Sequence, residues 1–381
     1  VTEVYISSDN IITSLGFTTR ENASEMLSGK TGIALTTDEK ISSEPFYASL
    51  IDSVKLSEKF SLIDDPARFT RFEQMAICSV SDALKNSDID SRDPRTLFIL
   101  SATKGNIDLL EPLLGKRFPE DRIYLWNTAN LIAGYFGFSA TPVVVSNACI
   151  SGVQAILTGA RLIRAGLFDY VVINGTDIIT EFVLSGFNSF KSLSTGPCRP
   201  FDRSRDGLSL GEASGTIILT NRPPESGSKN AIMFADGFSG NDANHISGPS
   251  RTGEGLFLVI DRILKESDSA IDFISAHGTA TPYNDEMEAV AINRAGLQDV
   301  HVNSFKGYWG HTLGAAGVIE SVMSIYSMKE NVLFKTEGFR ESALKHPVSV
   351  VEKVIYHEVN ACLKLASGFG GCNAAVFFIK K

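Results

Sequence analysis

Three times in this chain a short apolar segment stops at a turn of small and polar residues, and a helical period begins at once. The stretches are "VVVSNACISGVQAI" (residues 143–156), "DFISAHGTATPYNDEMEAV" (272–290) and "VHVNSFKGYWGHTLGAAGVIESV" (300–322). Strands that alternate with long helices form mixed or parallel sheets whose faces the helices cover, so the expected class is α/β. The run Val143 to Val145 reads as a strand buried on both faces. After it Val153, Ile156, Leu157, Ala160 and Ile163 recur at helical spacing as far as Gly166, a helix stop. In such folds the reactive groups gather beyond the carboxyl ends of the strands.

The three turns carry polar groups that packing does not require. Cys149 sits near the first turn of its helix, where unpaired backbone N–H groups favour a thiolate and so a nucleophile. The plainer reading of one cysteine is a small buried residue. The second segment runs a strand, Phe273 to Ala276, into His277, Gly278, Thr279 and Thr281 and opens a helix near Asp285. The third presents Lys306 and His311, with Gly307 and Gly310 expected to keep that segment in a loop. A metal site is not expected, because there is no HExxH and no cysteine pair. A thiol with two imidazoles suits acyl chemistry instead: the sulfur holds an acyl group, and imidazole N–H groups stabilise a carbonyl oxygen that becomes negative. A further stretch, "ASGFGGCNAAVFF" (366–378), offers a glycine turn whose backbone N–H could complete an oxyanion hole with that of Cys149.

Composition bounds the rest. With 381 residues, 43% apolar and 21% charged, the chain can bury a large core as two or three domains or as two similar halves. The same strand-to-helix grammar on both sides of the polar stretch "NRPPESGSKN" (221–230) suggests a weak internal duplication, with halves 1–220 and 221–381. No apolar run approaches the roughly 20 residues of a membrane span, and "VTEVYISSDN" lacks the regions of a signal peptide, so a cytoplasmic protein without membrane contact is expected. Cys78, Cys149, Cys198, Cys362 and Cys372 lack framework spacing, which suits reduced thiols. A net charge of −9 argues against a broad nucleic-acid surface.

Taken together these motifs resemble the elongating, Cys-His-His type of β-ketoacyl-acyl carrier protein synthase, over nearly the whole chain. The resemblance implies a thiolase-like fold of two similar halves with mixed sheets in a layered αβαβα arrangement. "SNACISG" matches the family's nucleophile motif, "AHGTATPYND" its first histidine motif and "SFKGYWGHTLGAAGVIES" its lysine and second-histidine motif. They assign Cys149, His277, Lys306 and His311, with Glu320 as the helix glutamate and Phe369 as the gate. Also similar are "RPFDRSRDGLSLGEASG" and "DANHISGPS", which in the family support the site; Asp285 and Glu288 are assigned supporting roles.

The implied reaction is a decarboxylative condensation. Cys149 accepts an acyl chain from an acyl carrier protein, and the N–H groups of Cys149 and Phe369 hold the oxyanion. His277 and His311 then stabilise the enolate left when malonyl-carrier protein loses CO2. Lys306, paired with Glu320, biases histidine protonation. Thr279, Thr281, Phe187, Phe369 and Lys104 are assigned to pantetheine or substrate, and no metal or organic cofactor is required. Arg68, Arg71 and Lys191 resemble the family's basic positions for docking the carrier protein. A homodimer, or a heterodimer with a related subunit, is expected through the strand that "GFSATPVVV" enters. The chain is shorter than typical members, and "SATKGNIDLLE" (101–111) replaces the glycine-rich apolar segment that usually lines the acyl pocket. Lys104 there points to short, polar, aromatic or polyunsaturated acyl groups, unless it faces solvent or pairs with Asp108 or Glu111. The alternatives are a ketosynthase of a polyene, aryl-lipid or polyketide pathway and a non-catalytic partner of the chain-length-factor type. Presence of Cys149 speaks against the second.

Overall fold

A computed structural model of the chain describes residues 2–111, 117–223, 231–246, 248–267 and 269–381. Among the described residues, eleven strands form one sheet. From one edge to the other they are Ser349–Val350, His301–Asn303, Phe273–Ser275, Ala361–Gly368, Cys372–Lys380, Ile232–Asn241, Val4–Ile12, Ala213–Thr220, Tyr170–Asp177, Thr96–Ser101 and Val143–Val145. The sheet divides into two runs with one pairing pattern. Val4–Ile12, Ala213–Thr220 and Tyr170–Asp177 are mutually antiparallel neighbours, after which Thr96–Ser101 and Val143–Val145 add in parallel. Ile232–Asn241, Cys372–Lys380 and Ala361–Gly368 repeat the antiparallel part, and Phe273–Ser275 and His301–Asn303 repeat the parallel part. Two residue pairs, Val4 with Phe234 and Tyr5 with Met233, join the runs. Of the polar stretch 221–230, residues 224–230 lie outside the described residues.

Helices make this a five-layer α/β structure. The helices Ser151–Arg164 and Ala316–Glu330 pack on each other between the two runs and share the largest buried apolar cluster. Nearly every residue of the second is buried, and two of its buried hydroxyls find partners: Ser321 and Ser324 donate to the carbonyls of Gly317 (2.6 Å) and Glu320 (2.7 Å) one turn back. One outer layer is the helix Arg71–Lys85 with Leu125–Phe136, and the other is Glu254–Glu266 with Pro282–Arg294. The central helices approach at Gly152 and Gly317, where a Cβ on Gly152 would lie 2.6 Å from the Val318 nitrogen. Only a residue without a side chain permits that contact between backbones.

Three local expectations need correction. Val143–Val145 is half-buried, because as the last strand of the sheet it is paired along one edge only, although both its faces pack on helices. Residues Lys306–Trp309 form one helical turn, closed by the bond from the Gly310 N–H to the Lys306 carbonyl (2.8 Å), although glycines at 307 and 310 pointed to a loop. The helix expected near Asp285 begins at Pro282, where proline suits a first turn that has no N–H to satisfy.

Candidate functional site

Each site residue is presented by a short, over-determined turn at a strand end. Behind Val143–Val145 the chain passes through Ala148 in a left-handed conformation (φ 45°). Ser151 Oγ accepts the Asn147 N–H (2.7 Å) and donates to the Ala148 carbonyl (2.6 Å), fixing Cys149 two residues ahead of the helix. Glu288 binds the turn after Phe273–Ser275, accepting the N–H groups of His277 and Gly278 at 2.6 Å each. Asp285 accepts those of Thr279 (3.0 Å) and Phe201 (2.7 Å). His311 is held from its backbone, whose N–H donates to the Ser209 carbonyl at 2.7 Å. Its ring nitrogens have no protein partner, so they are free to donate to or accept from a ligand.

These turns converge. A thiol sulfur and one nitrogen from each of His277 and His311 lie within 4.8 Å of one another, and the two rings meet edge to face at 5.1 Å between centroids. Behind His277 the Lys306 ammonium reaches Nδ1 (3.2 Å), the His277 carbonyl (2.6 Å) and Glu320 Oε1 (2.7 Å). An ammonium can only donate, so Nδ1 accepts and the proton of a neutral ring resides on Nε2, toward the thiol. Burial, and then the Lys306 cation, hold His277 and His311 well below the ordinary histidine value, so both imidazoles are neutral.

The thiol differs from expectation. Burial pushes Cys149 up to about 12, and the nearby Cys372 adds to this; Lys306 and the Phe369 N–H act in the opposite direction but do not win. The dipole of a helix that begins two residues later is outweighed by the loss of water around the sulfur. The Phe369 N–H faces the Cys149 sulfur. A Cβ on Gly368 would lie 3.1 Å from the Cys149 nitrogen, so a glycine there keeps open the space before that N–H.

A cavity of about 430 Å³ leads from Cys149 past His277 and His311 to the surface. Thr279 and Thr281 line it with their hydroxyls 2.9 Å apart, and Phe187 stacks on Phe369 at its inner end. Phe190, which the sequence reading passed over, packs edge-on against Phe369. Lys191 is exposed at the mouth. Arg68 is 66% exposed and pairs with Asp64, four residues earlier in the chain.

Two assigned residues go elsewhere. Lys104 does not line the cavity: its backbone N–H is bound by Asp177, and its ammonium lies exposed beside the Thr103 carbonyl (3.5 Å). It pairs with neither Asp108 nor Glu111. Arg71 is not a free docking cation. Its guanidinium holds Glu212 (2.6 Å) and Ser53 (2.9 Å) and also donates to the Ile51 carbonyl, bracing two segments of the fold.

A second residue missed besides Phe190 was Lys364, fully buried in Ala361–Gly368, whose ammonium takes the second oxygen of Glu320 at 2.5 Å. One signal was available, a lysine set inside the apolar run "ACLKLA". Cys149, His277 and His311 are also close enough to ligate one metal ion. Two ammoniums beside His277 set positive charge against a dication, and the donor set fits covalent chemistry better. It can take an acyl group onto sulfur and hold an oxyanion on converging N–H groups, which is the business of condensing acyltransferases.

Comparison with known proteins agrees with that class. The model of the β-ketoacyl synthase N-terminal domain matches residues 2–224, and that of the C-terminal domain matches residues 231–340. A candidate mitochondrial 3-oxoacyl-[acyl-carrier-protein] synthase of Schizosaccharomyces pombe is 31% identical over 99% of both chains. The 3-oxoacyl-[acyl-carrier-protein] synthase 2 of Vibrio cholerae serotype O1 is 27% identical over 98% of both. Among solved structures, the ishigamide ketosynthase/chain length factor shares the fold with a TM-score of 0.86, at 23% identity, over 100% of this chain and 99% of that one. The chain belongs to the β-ketoacyl synthase family, thiolase-like condensing acyltransferases. Among the described residues, no helix is long and apolar enough to cross a membrane.

Proposed function

We propose that this chain is a 3-oxoacyl-[acyl carrier protein] synthase that condenses a cysteine-bound acyl chain with malonyl-carrier protein. The observation that carries the reading is the convergence of the Cys149 thiol with two neutral imidazoles, one of them oriented by Lys306. In the first half-reaction the Cys149 sulfur attacks the carrier thioester, whose oxygen becomes negative between the N–H groups of Cys149 and Phe369. The carrier thiol leaves with the proton that Cys149 gives up, so the buried site gains no charge overall. The high thiol pKa then keeps Cys149 neutral until a thioester is in place.

In the second half-reaction the malonyl group loses CO2, and the electrons of the broken C–C bond move onto the thioester oxygen. His277, donating from Nε2, and His311 stabilise that enolate. Its carbon attacks the acyl-cysteine, the tetrahedral oxyanion collapses, and Cys149 leaves as thiolate and takes a proton from solvent. No metal or organic cofactor enters these steps. Thr279 and Thr281 bind the pantetheine arm, Phe187 and Phe369 flank the acyl group, and Asp285 and Glu288 hold the histidine turn. Arg68 and Lys191 meet the acidic carrier protein.

The dimer proceeds through the half-buried edge strand Val143–Val145, with a second copy or a related subunit as partner. The division at 220/221 and a cytoplasmic location belong to the same proposal. The test is intact-protein mass spectrometry with a panel of acyl-carrier proteins, followed by malonyl-carrier protein. One acyl adduct on Cys149, discharged with CO2 release, is expected. An adduct that persists in Cys149→Ala would overturn the reading.

A further inference from the structure

Behind the histidines lies a cluster of charge that the reaction as described uses only in part. Glu320 in the helix Ala316–Glu330 divides its two oxygens between two lysines, Lys306 at 2.7 Å and Lys364 at 2.5 Å. All three side chains are 0–1% exposed. Lys364 stands in register with Ser275 on the neighbouring parallel strand, and its ammonium also donates to the carbonyls of Ser275 (3.3 Å) and Ala276 (3.1 Å). Those are the last two residues before His277. Each ammonium thus spends its three N–H groups on three acceptors: Lys364 on Glu320 and two carbonyls, Lys306 on Glu320, the His277 carbonyl and His277 Nδ1.

Two ammoniums around one carboxylate leave an excess of positive charge, which Glu288, buried nearby and pushed up to about 7, offsets only in part. A buried charge not fully balanced by a counter-ion is costly, and apolar residues pack such a place at less cost. The location explains its retention. With Lys364 holding one oxygen, Glu320 offers Lys306 a single contact, and Lys306 keeps a donor for His277. Without Lys364 both carboxylate oxygens are open to Lys306, and a two-oxygen grip would draw its ammonium off Nδ1.

We propose that Lys364 is a positioning residue for decarboxylation: it ties Glu320 and the two carbonyls before His277, keeps Lys306 directed at His277 Nδ1, and adds one positive charge behind both imidazoles. The inference rests on the condensation proposed above. His277 is faced by Lys306 from the turn Lys306–Trp309, by Lys364 from its strand, by Glu288 from the helix Pro282–Arg294, by His311 and by Cys149. Lys364 is among the cations that hold both histidines down. Its removal therefore eases formation of imidazolium, which lacks the Nδ1 acceptor, and the acid limb of decarboxylation moves to higher pH.

The experiment uses full-length wild type, Lys364→Met, Lys364→Gln and Lys364→Ala with acyl- and malonyl-carrier proteins, reading Cys149 acylation and CO2 release separately from pH 5 to 9. Expected for Lys364→Met are acylation within about twofold of wild type, a kcat for CO2 release reduced roughly 10- to 100-fold as for other residues that orient a reacting group, an unchanged KM and the upward-moved acid limb. Lys364→Gln, which still donates two N–H bonds, should fall between. Ethylammonium should restore Lys364→Ala saturably, and ethanol should not. A Lys364→Met enzyme with wild-type kcat and pH profile overturns the proposal, as does loss of acylation and CO2 release in parallel. Should the variants fail to accumulate, 15N-lysine spectra of wild type decide: a buried protonated Lys364 gives an ammonium signal protected from exchange between pH 6 and 8, and its absence overturns the proposal. A wild type that neither acylates nor decarboxylates removes the condensation reading and this inference with it, whereas an active wild type isolates Lys364.

Discussion

Replacing Gly152 by alanine tests whether contact between the two central helices sets the catalytic geometry. The added methyl would lie 2.6 Å from the Val318 nitrogen, 2.8 Å from the Gly317 Cα and 2.9 Å from the Gly317 carbonyl carbon. All are backbone atoms and none can rotate away. Opening them to an ordinary contact of about 3.5 Å needs a separation of roughly 0.5–1 Å. Overpacking of this kind costs about 1–3 kcal/mol, and replacing a helical glycine by alanine returns about 1 kcal/mol. The net loss is about 0–2 kcal/mol. Unfolding entropy scales to about 0.8 kcal/mol/K for a chain of 381 residues, so Tm falls by only about 0–3 °C. Activity is the sharper readout. Cys149 lies three residues before Gly152 and Glu320 three residues after Gly317, so the separation carries the thiol away from the histidine and lysine groups. A misplacement near 1 Å can cost about 100-fold in rate. Thermal unfolding and carrier-protein condensation are measured beside Gly134→Ala, a helical position with nothing within 4 Å of the new methyl, where Tm should rise slightly. Condensation within twofold of wild type in Gly152→Ala, with Tm raised as in the control, would refute the reasoning.

His277→Ala and His311→Ala should each lose malonyl decarboxylation by about 100-fold or more while retaining acylation of Cys149; wild-type CO2 release in both rejects their role. Because both imidazoles are held well below 6.5, the 15N shifts of His277 and His311 in the wild type should stay those of neutral rings from pH 8 down to about 5.5; a titration of either ring centred on 6.5 would contradict that, whereas a rate limb near 7 belongs to Glu288, which burial pushes up to about 7. A thiol pushed up to about 12 should be alkylated by iodoacetamide about tenfold faster per pH unit between pH 7 and 9; a plateau below pH 8.5 would show that burial does not control it. Charge reversal of Arg68 and Lys191 should raise KM for carrier-bound substrate but not for a small thioester. Arg71→Ala should instead destabilise the fold by up to about 3 kcal/mol, because it leaves Glu212, only 3% exposed, with the N–H groups of Ile51 and Ile179 but no counter-ion; denaturant midpoints decide.

What the sequence determined by itself is what local chain chemistry dictates. A β-branched run, a turn of small residues and a helical period place Cys149, His277 and His311 at strand ends whatever surrounds them, and the glycines around Phe369 mark a backbone open to a ligand. The repeated grammar likewise implies the α/β class, since side-chain periodicity belongs to each segment alone. Tertiary structure decided which charges meet. Arg71 reads as a surface cation until Glu212, 141 residues away, closes on it. Lys364 reads as an anomaly in an apolar strand until Glu320, 44 residues away, lies beneath it. The exposure of Lys104 follows from Asp177 binding its backbone, a contact across 73 residues. The Cys149 thiol follows the same rule: a helix start argues for thiolate, but the loss of water around the sulfur is a property of the assembled layers, and in a low dielectric it outweighs the dipole.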